Sequence, residues 1–335
     1  MIKCTVAIPV YNRKNNILNF KAVDSALSQR TADLEILVVD DCSMDGTWEL
    51  LQTYHDPRLR LVRNEQRLGL FGNFSRCLEL AQGEYVRLLC SDDCLMPDCL
   101  DQEIAMMEKY PQVALLLTRG RRVDEKGTLL GWLGDHFQPG IYLGQSAIRS
   151  ALWFEAYYAF NAFTCPSGIL LRRTIALQVG KFDTTMCMYG DVDFYLRMLE
   201  HGDLFVSTSI GFEMTIHDSQ ETARLIGHVA IMRELLSLVE RYQSFFKEKG
   251  MYTSVRQQLS AYMLGLAFKF WSMGLPEHAK AHLALVRQIG VAPQRTLIGV
   301  LRLLGLRFWM KISGKRLMPD EPYVALVLSK ERLDS

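Results

Sequence analysis

Asp92 and Asp93 close an apolar run, Tyr85-Val86-Arg87-Leu88-Leu89-Cys90-Ser91. Paired carboxylates at the carboxyl end of a buried strand stand where open α/β sheets bind ligands. Their hard oxygen atoms suit a divalent cation that in turn grips a diphosphate. A turn leading into the helix after Met96-Pro97 would use the same two residues. Two further acidic clusters favour the first reading: Val38-Val39-Asp40-Asp41 and Met188-Tyr189-Gly190-Asp191-Val192-Asp193. A carboxylate at the end of the former can accept hydrogen bonds from a base or a ribose. In Pro9-Val10-Tyr11-Asn12-Arg13, Tyr11 can pack on a base and Arg13 can reach a phosphate, although a solvated loop would read alike.

These residues need elements to hold them. Thr5–Val10, Leu34–Val39, Leu59–Arg63 and Tyr85–Cys90 read as short buried strands. Helical periodicity lies between them, over Ile17–Gln29, Trp48–Tyr54 and Phe71–Gln82. A βαβαβαβ rhythm implies a mostly parallel sheet covered on both faces. A helix from Pro97 to Tyr110 and a strand Val113–Thr118 follow, then loops or a small hairpin over Arg119–Gly144. Ile148–Phe160 reads as a helix, Ser167–Leu171 as a strand, and Asp193–Glu200 as the start of another helix. From Arg224 onward only amphipathic helices are expected, with Tyr262–Met273 and Glu277–Ile289 as a hairpin.

The composition narrows the class. Hydrophobic residues make up 49% and charged ones 22% of 335 residues, enough for a sizeable core. A net charge of +1 argues against a nucleic-acid partner. Eight scattered cysteines lack a C-x-x-C pair and read as reduced thiols. Neither a signal peptide nor an apolar run of membrane-spanning length is present, so the chain is expected to be cytoplasmic. Gly-x-Gly-x-x-Gly and P-loop patterns are missing, so a diphosphate would be held by a cation rather than a glycine cradle.

Taken in order, Ala7-Ile8-Pro9-Val10-Tyr11-Asn12-Arg13, Val39-Asp40-Asp41-x-Ser43-x-Asp45-Gly46-Thr47 and Gly83-Glu84-Tyr85 leading to Ser91-Asp92-Asp93 and Pro97 resemble a family 2 glycosyltransferase. The resemblance implies a GT-A fold: α/β, Rossmann-like, with a mostly parallel central sheet flanked by helices, here followed by an all-helical C-terminal extension. It implies residues 1–223 as the catalytic domain, with 1–118 the nucleotide-sugar half and 119–223 the acceptor half, and 224–335 as the extension. It also implies inverting transfer from a nucleotide-diphosphate sugar, UDP- or dTDP-type, with Mn²⁺ or Mg²⁺, to a glycan or lipid-linked acceptor of bacterial surface polysaccharide.

On the same resemblance, Pro9, Tyr11, Arg13 and Ser91 surround the donor, Asp41 contacts the base and Asp92 the ribose. Asp93 ligates the cation, and His217 reaches the metal or diphosphate from a C-terminal loop. Asn73 lines the donor pocket or caps a helix. Asp191 is the catalytic base and Asp193 a first-turn structural acid. This chain departs from the family at Cys90, where an acidic residue is usual, and at Gly190, where Glu usually precedes the base. A catalytically inactive sugar-nucleotide binder and a nucleotidyltransferase are the alternatives; the latter would need a glycine-rich basic loop that Val10–Arg13 does not supply.

The tail carries its own signal. Between Glu277 and Asp320 no residue is acidic, while basic residues interleave with Leu, Ile, Phe308 and Trp309. A helix over 295–316 would either lie in an anionic bilayer interface, on the inner face of the cell membrane, or pack its apolar side on the catalytic domain.

Overall fold

A computed structural model describes residues 1–14, 21–158, 161–217, 229–246, 249–292 and 325–326. The first half follows the expected alternation: β1 (Cys4–Val10), α1 (Lys21–Leu27), β2 (Leu34–Asp40), α2 (Thr47–Leu51), β3 (Leu59–Arg63), α3 (Leu70–Leu80) and β4 (Tyr85–Leu88). Next come β5 (Asp93–Leu95), α4 (Cys99–Lys109), β6 (Val113–Val123), β7 (Leu129–Leu133), β8 (Gly140–Tyr142) and α5 (Gly144–Tyr158). The domain ends with β9 (Ile169–Arg172), α6 (Arg173–Gln178), α7 (Gly190–Leu199) and β10 (Asp203–Thr215).

One sheet runs β11-β8-β10-β6-β9-β4-β1-β2-β3, with β11 being Ala325–Leu326. β3, β2, β1 and β4 pair in parallel, and β6 pairs in parallel with β10. Reversed β9 joins the two groups, antiparallel to both β4 and β6, so the six principal strands point one way. Their period-2 pattern feeds two cores. Val6, Ile8, Ile36 and Val38 pack on one face, while Ala7, Leu37, Val39 and Leu88 pack on the other.

The central strands are buried on both sides, and even Arg87 of β4 is wholly enclosed. Its guanidinium meets Glu103 of α4 at 2.7 Å. Removing either partner would strand a charge in the core, at a cost of about 3–5 kcal/mol.

β10 was not expected from the sequence, and β6 runs five residues past the expected Thr118. β7 turns back on β6 as the small hairpin foreseen in 119–144. β10 also pairs with β5, setting Met214 opposite Asp93.

Among the described residues, three α-helices follow: α8 (Val229–Arg241), α9 (Lys249–Ser272) and α10 (Pro276–Ile289). Leu235 and Leu238 of α8, Leu259 and Met263 of α9 and Leu285 of α10 share one core with Leu152 and Phe154 of α5. These helices therefore pack on α5 and share its core. β11, Ala325–Leu326, adds two residues to β8. The 295–316 segment lies outside the described residues. Among the described residues, no helix is long and apolar enough to cross a membrane.

Candidate active site

Because β1, β2 and β4 are parallel neighbours, the loops leaving their carboxyl ends share one edge of the sheet. The β1 loop lies in the middle and binds both sides. Asn12 N–H donates to Ser43 Oγ at 2.9 Å and Asn12 Oδ1 accepts from Met44 N–H at 2.9 Å. On the other side Arg13 Nε donates to Ser91 Oγ at 2.9 Å, and its guanidinium lies 3.6 Å from Asp92. Thr47 Oγ1 accepts from Arg13 N–H, which fixes the base of that side chain. Partly exposed Pro9 sits one residue before the end of β1, beside Val39. Tyr11 carries the Arg67 guanidinium 4.1 Å above its ring, so a cation already covers one aromatic face.

Asp41 is almost fully enclosed, and both its oxygens are engaged by the chain itself. Asn64 Nδ2 and Leu68 N–H donate to Oδ1, while Gly69 N–H donates to Oδ2. The carboxylate thereby pins the 64–69 loop onto the end of β2. Asn73 joins the same net: its amide accepts from Asn64 at 3.0 Å and donates to the Val39 carbonyl at 3.0 Å. α3 begins after Gly69, so buried Asn73 lies a turn inside the helix, away from its cap.

Past β4 the chain bends so that Cys90 Sγ and a carboxylate oxygen of each of Asp92 and Asp93 all lie within 4.8 Å of one another. Asp93 is 2% exposed; Ser167 Oγ–H donates to its Oδ2 at 2.5 Å, and Oδ1 has no hydrogen-bond partner. Burial pushes its carboxyl well above the usual range, the neighbouring Asp92 charge adds to this, and Ser167 opposes it. Asp92 goes the other way. Burial disfavours its charge, but the His217 hydrogen bond and the Arg13 guanidinium outweigh that and hold the carboxyl below the usual range. His217, two residues past β10, places Nε2 3.0 Å from Asp92 Oδ2.

Three donor atoms so close together, with one buried oxygen unpaired, suit a divalent cation, and Asp93 with Asp92 would hold it. Burial also keeps the Cys90 thiol protonated, and the charges of Asp93, Asp92 and Asp191 add to this.

The Asp191 charge acts on Cys90 more weakly than those of Asp93 and Asp92. Asp191 opens α7; its Oδ1 accepts from Val192 N–H at 2.8 Å and its Oδ2 from Asn161 Nδ2 at 3.1 Å. Burial lifts its carboxyl to about 6, against those two hydrogen bonds. A carboxylate at that value is suited to take a proton near neutrality. Asp193 points elsewhere, pairing with Arg197 at 2.9 Å and with Arg241 of α8.

Gly190 has a steric reason: a Cβ there would lie 2.7 Å from the Phe71 ring. Phe71 stacks on Phe182, and Phe182 on Phe194, filling the space where a preceding Glu would stand.

Asn161 and Ser167 were not singled out in the sequence. Asn161 lies within the aromatic stretch Trp153–Phe163, whose composition reads as core or acceptor platform. Ser167 lies in a short helical turn before β9, where nothing local marks it.

Glycosyl transferase family 2 matches residues 5–174, just over half of the chain. A similar protein is the UDP-Glc:alpha-D-GlcNAc-diphosphoundecaprenol beta-1,3-glucosyltransferase WfaP of Escherichia coli, 34% identical over 104 residues. That stretch is 31% of this chain and 41% of the relative, so the chain covers less than half of that protein. Among solved structures, Staphylococcus aureus TarS 1-349 with UDP-GlcNAc superposes with a TM-score of 0.59 at 16% identity, over 93% of this chain and 92% of that one. The mannosyltransferase PcManGT of Pyrobaculum calidifontis, in complex with GDP-Man and Mn²⁺, gives 0.52 at 16% identity, over 93% and 84%. At these identities the two structures establish the GT-A fold.

Proposed function

The chain belongs to glycosyl transferase family 2, and from that premise we propose that it moves a sugar, with inversion, from a UDP- or dTDP-type donor to an acceptor hydroxyl. The acceptor we assign is a glycan on a lipid carrier, in bacterial surface polysaccharide assembly at the cytoplasmic face of the membrane. The diphosphoundecaprenol acceptor in the name of WfaP supports that assignment.

What supports the reading is the cluster of Cys90, Asp92 and Asp93 at the end of the β4 segment, together with the buried carboxylate of Asp191 at the start of α7, held by Asn161. Asp191 takes the proton from the acceptor hydroxyl as that oxygen attacks the anomeric carbon. Asn161 fixes one oxygen of Asp191, leaving its orientation little freedom. Arg13, tied to Ser91 and Asp92, presents its guanidinium to the donor phosphates. Tyr11 and Pro9 border the nucleoside, with Asp41 and Asn73 holding the loop beside it. Asp93 would hold Mn²⁺ or Mg²⁺, which would supply positive charge against that developing on the departing diphosphate. The Mn²⁺ in the PcManGT complex supports that ion class.

The test is release of sugar from a panel of nucleotide sugars with Mn²⁺ or Mg²⁺, using the full chain and its Asp191→Asn variant. Asp191→Asn should lower turnover by on the order of a hundredfold or more while leaving donor affinity nearly unchanged. Full turnover in the variant would remove Asp191 from the role. Donor binding without turnover in the native chain would favour an inactive binding protein instead.

A further inference from the structure

The cluster at the end of β4 is not built of oxygen alone. Cys90 Sγ stands within 4.8 Å of carboxylate oxygens of both Asp92 and Asp93. One residue holds the geometry from both ends: Cys90 N–H donates to Ser167 Oγ at 3.0 Å, and that hydroxyl donates to Asp93 Oδ2 at 2.5 Å. Sulfur and carboxylate are therefore positioned together. Asp93 Oδ1, buried and lacking a hydrogen-bond partner, is the atom in need of a counter-charge. A second thiol, Cys165, lies 3.8 Å from Asp93 Oδ2 as a weak donor to that oxygen.

We propose that Cys90 is a ligand of the cation, making this a mixed sulfur–oxygen centre that takes a borderline ion such as Zn²⁺, Co²⁺ or Cd²⁺ in preference to Mg²⁺. The inference rests on the assignment of Asp93 as cation anchor given above. Thiolate sulfur favours borderline and soft ions, whereas carboxylate oxygen alone favours Mg²⁺ and Mn²⁺. On binding, the sulfur–metal bond forms as the thiol proton passes to solvent, and no electron is transferred.

The experiment is titration of the full chain with Co²⁺ alone, followed by absorption in the near ultraviolet. The native chain should develop a sulfur-to-cobalt charge-transfer band. Cys90→Ser and Cys90→Asp should lack it, and Cys165→Ser should retain it. Calorimetric titration should show Cys90→Asp losing at least about tenfold in Cd²⁺ affinity, with Mg²⁺ affinity kept or raised.

A band that persists in Cys90→Ser, or vanishes with Cys165→Ser instead, overturns the proposal. Cys90→Asp keeps a ligand in place should Cys90→Ser fail to fold, and far-ultraviolet circular dichroism checks both. Failure here is distinguishable from failure of the function. If Asp93→Ala abolishes Mn²⁺-supported UDP binding while the Cys90 variants leave metal preference unchanged, the transferase reading stands and the sulfur ligand falls. If Asp93→Ala leaves that binding intact, the anchor assignment itself fails, and the sulfur ligand with it.

Discussion

In the proposed transfer, Asp191 and the Asp92–Asp93 pair would divide the work because their surroundings set their protonation differently. Burial lifts Asp191 to about 6, while hydrogen bonds from Val192 and Asn161 pull against that rise. A base must be ionised to act, so turnover should climb with pH through about 6 and level off above it. Asn161→Ala removes a donor that favours the charged carboxylate, so the acid limb of the kcat/KM profile should move to higher pH. The loss should be greatest below about 6 and small well above it. An acid limb unmoved in Asn161→Ala would show that Asn161 has no hold on the base. The acids were legible in the sequence because Asp92 and Asp93 closely follow the apolar run of β4 and Asp191 lies in the first turn of α7. Asn161 was not, since its partner lies thirty residues away and only the fold brings them together.

At the scale of elements, the clearest strand runs were those buried on both faces, such as the unbroken Leu34–Asp40. β10 escaped because Ser207-Thr208-Ser209 and Gly211 interrupt its apolar pattern, and its register against β6 shifts between Val206 and Phe212. The interruption has a physical use. Gly211 leaves no room for a Cβ, which would meet Thr118, Glu103 and Arg87 at 2.5–2.8 Å, and Phe212 next to it fills the space left by Gly120 and Gly168. This strand carries the chain to His217 and so to Asp92.

Gly190 is the matching constraint at the start of α7. Gly190→Glu should force the helix off Phe71 and lower stability by roughly 1–3 kcal/mol, read as a fall in Tm. In a Phe71→Leu background the added cost should shrink, because the ring is what a Cβ would strike. Equal costs in both backgrounds would mean that Phe71 is not the obstacle.

Seen whole, the molecule joins a sheet edge, proposed above to hold the donor, to a helical hairpin whose far end is apolar and exposed. Phe268 and Trp271 near the end of α9 are 76% and 64% exposed, and Met273 and Leu275 follow in the turn. Lys269 lies among them; Lys280, one turn into α10, pairs with Glu277 at 2.7 Å, and beyond it no acidic residue appears until Asp320. Exposed aromatic rings beside the exposed cation of Lys269 suit an anionic bilayer, where the rings enter the interface and the lysine meets headgroups. A lipid-linked acceptor would then be presented from the same surface. Burying each ring contributes about 1.5–3 kcal/mol, so Phe268→Ala with Trp271→Ala should lower co-sedimentation with anionic vesicles by roughly tenfold or more. Because the rings are exposed, the double variant should fold normally and keep its turnover on a soluble acceptor. Truncation after Pro293 should weaken vesicle binding further, and added salt should weaken it in the native chain. If neither change reduces co-sedimentation, the hairpin end does not meet lipid, and the acceptor reaches Asp191 without help from the membrane.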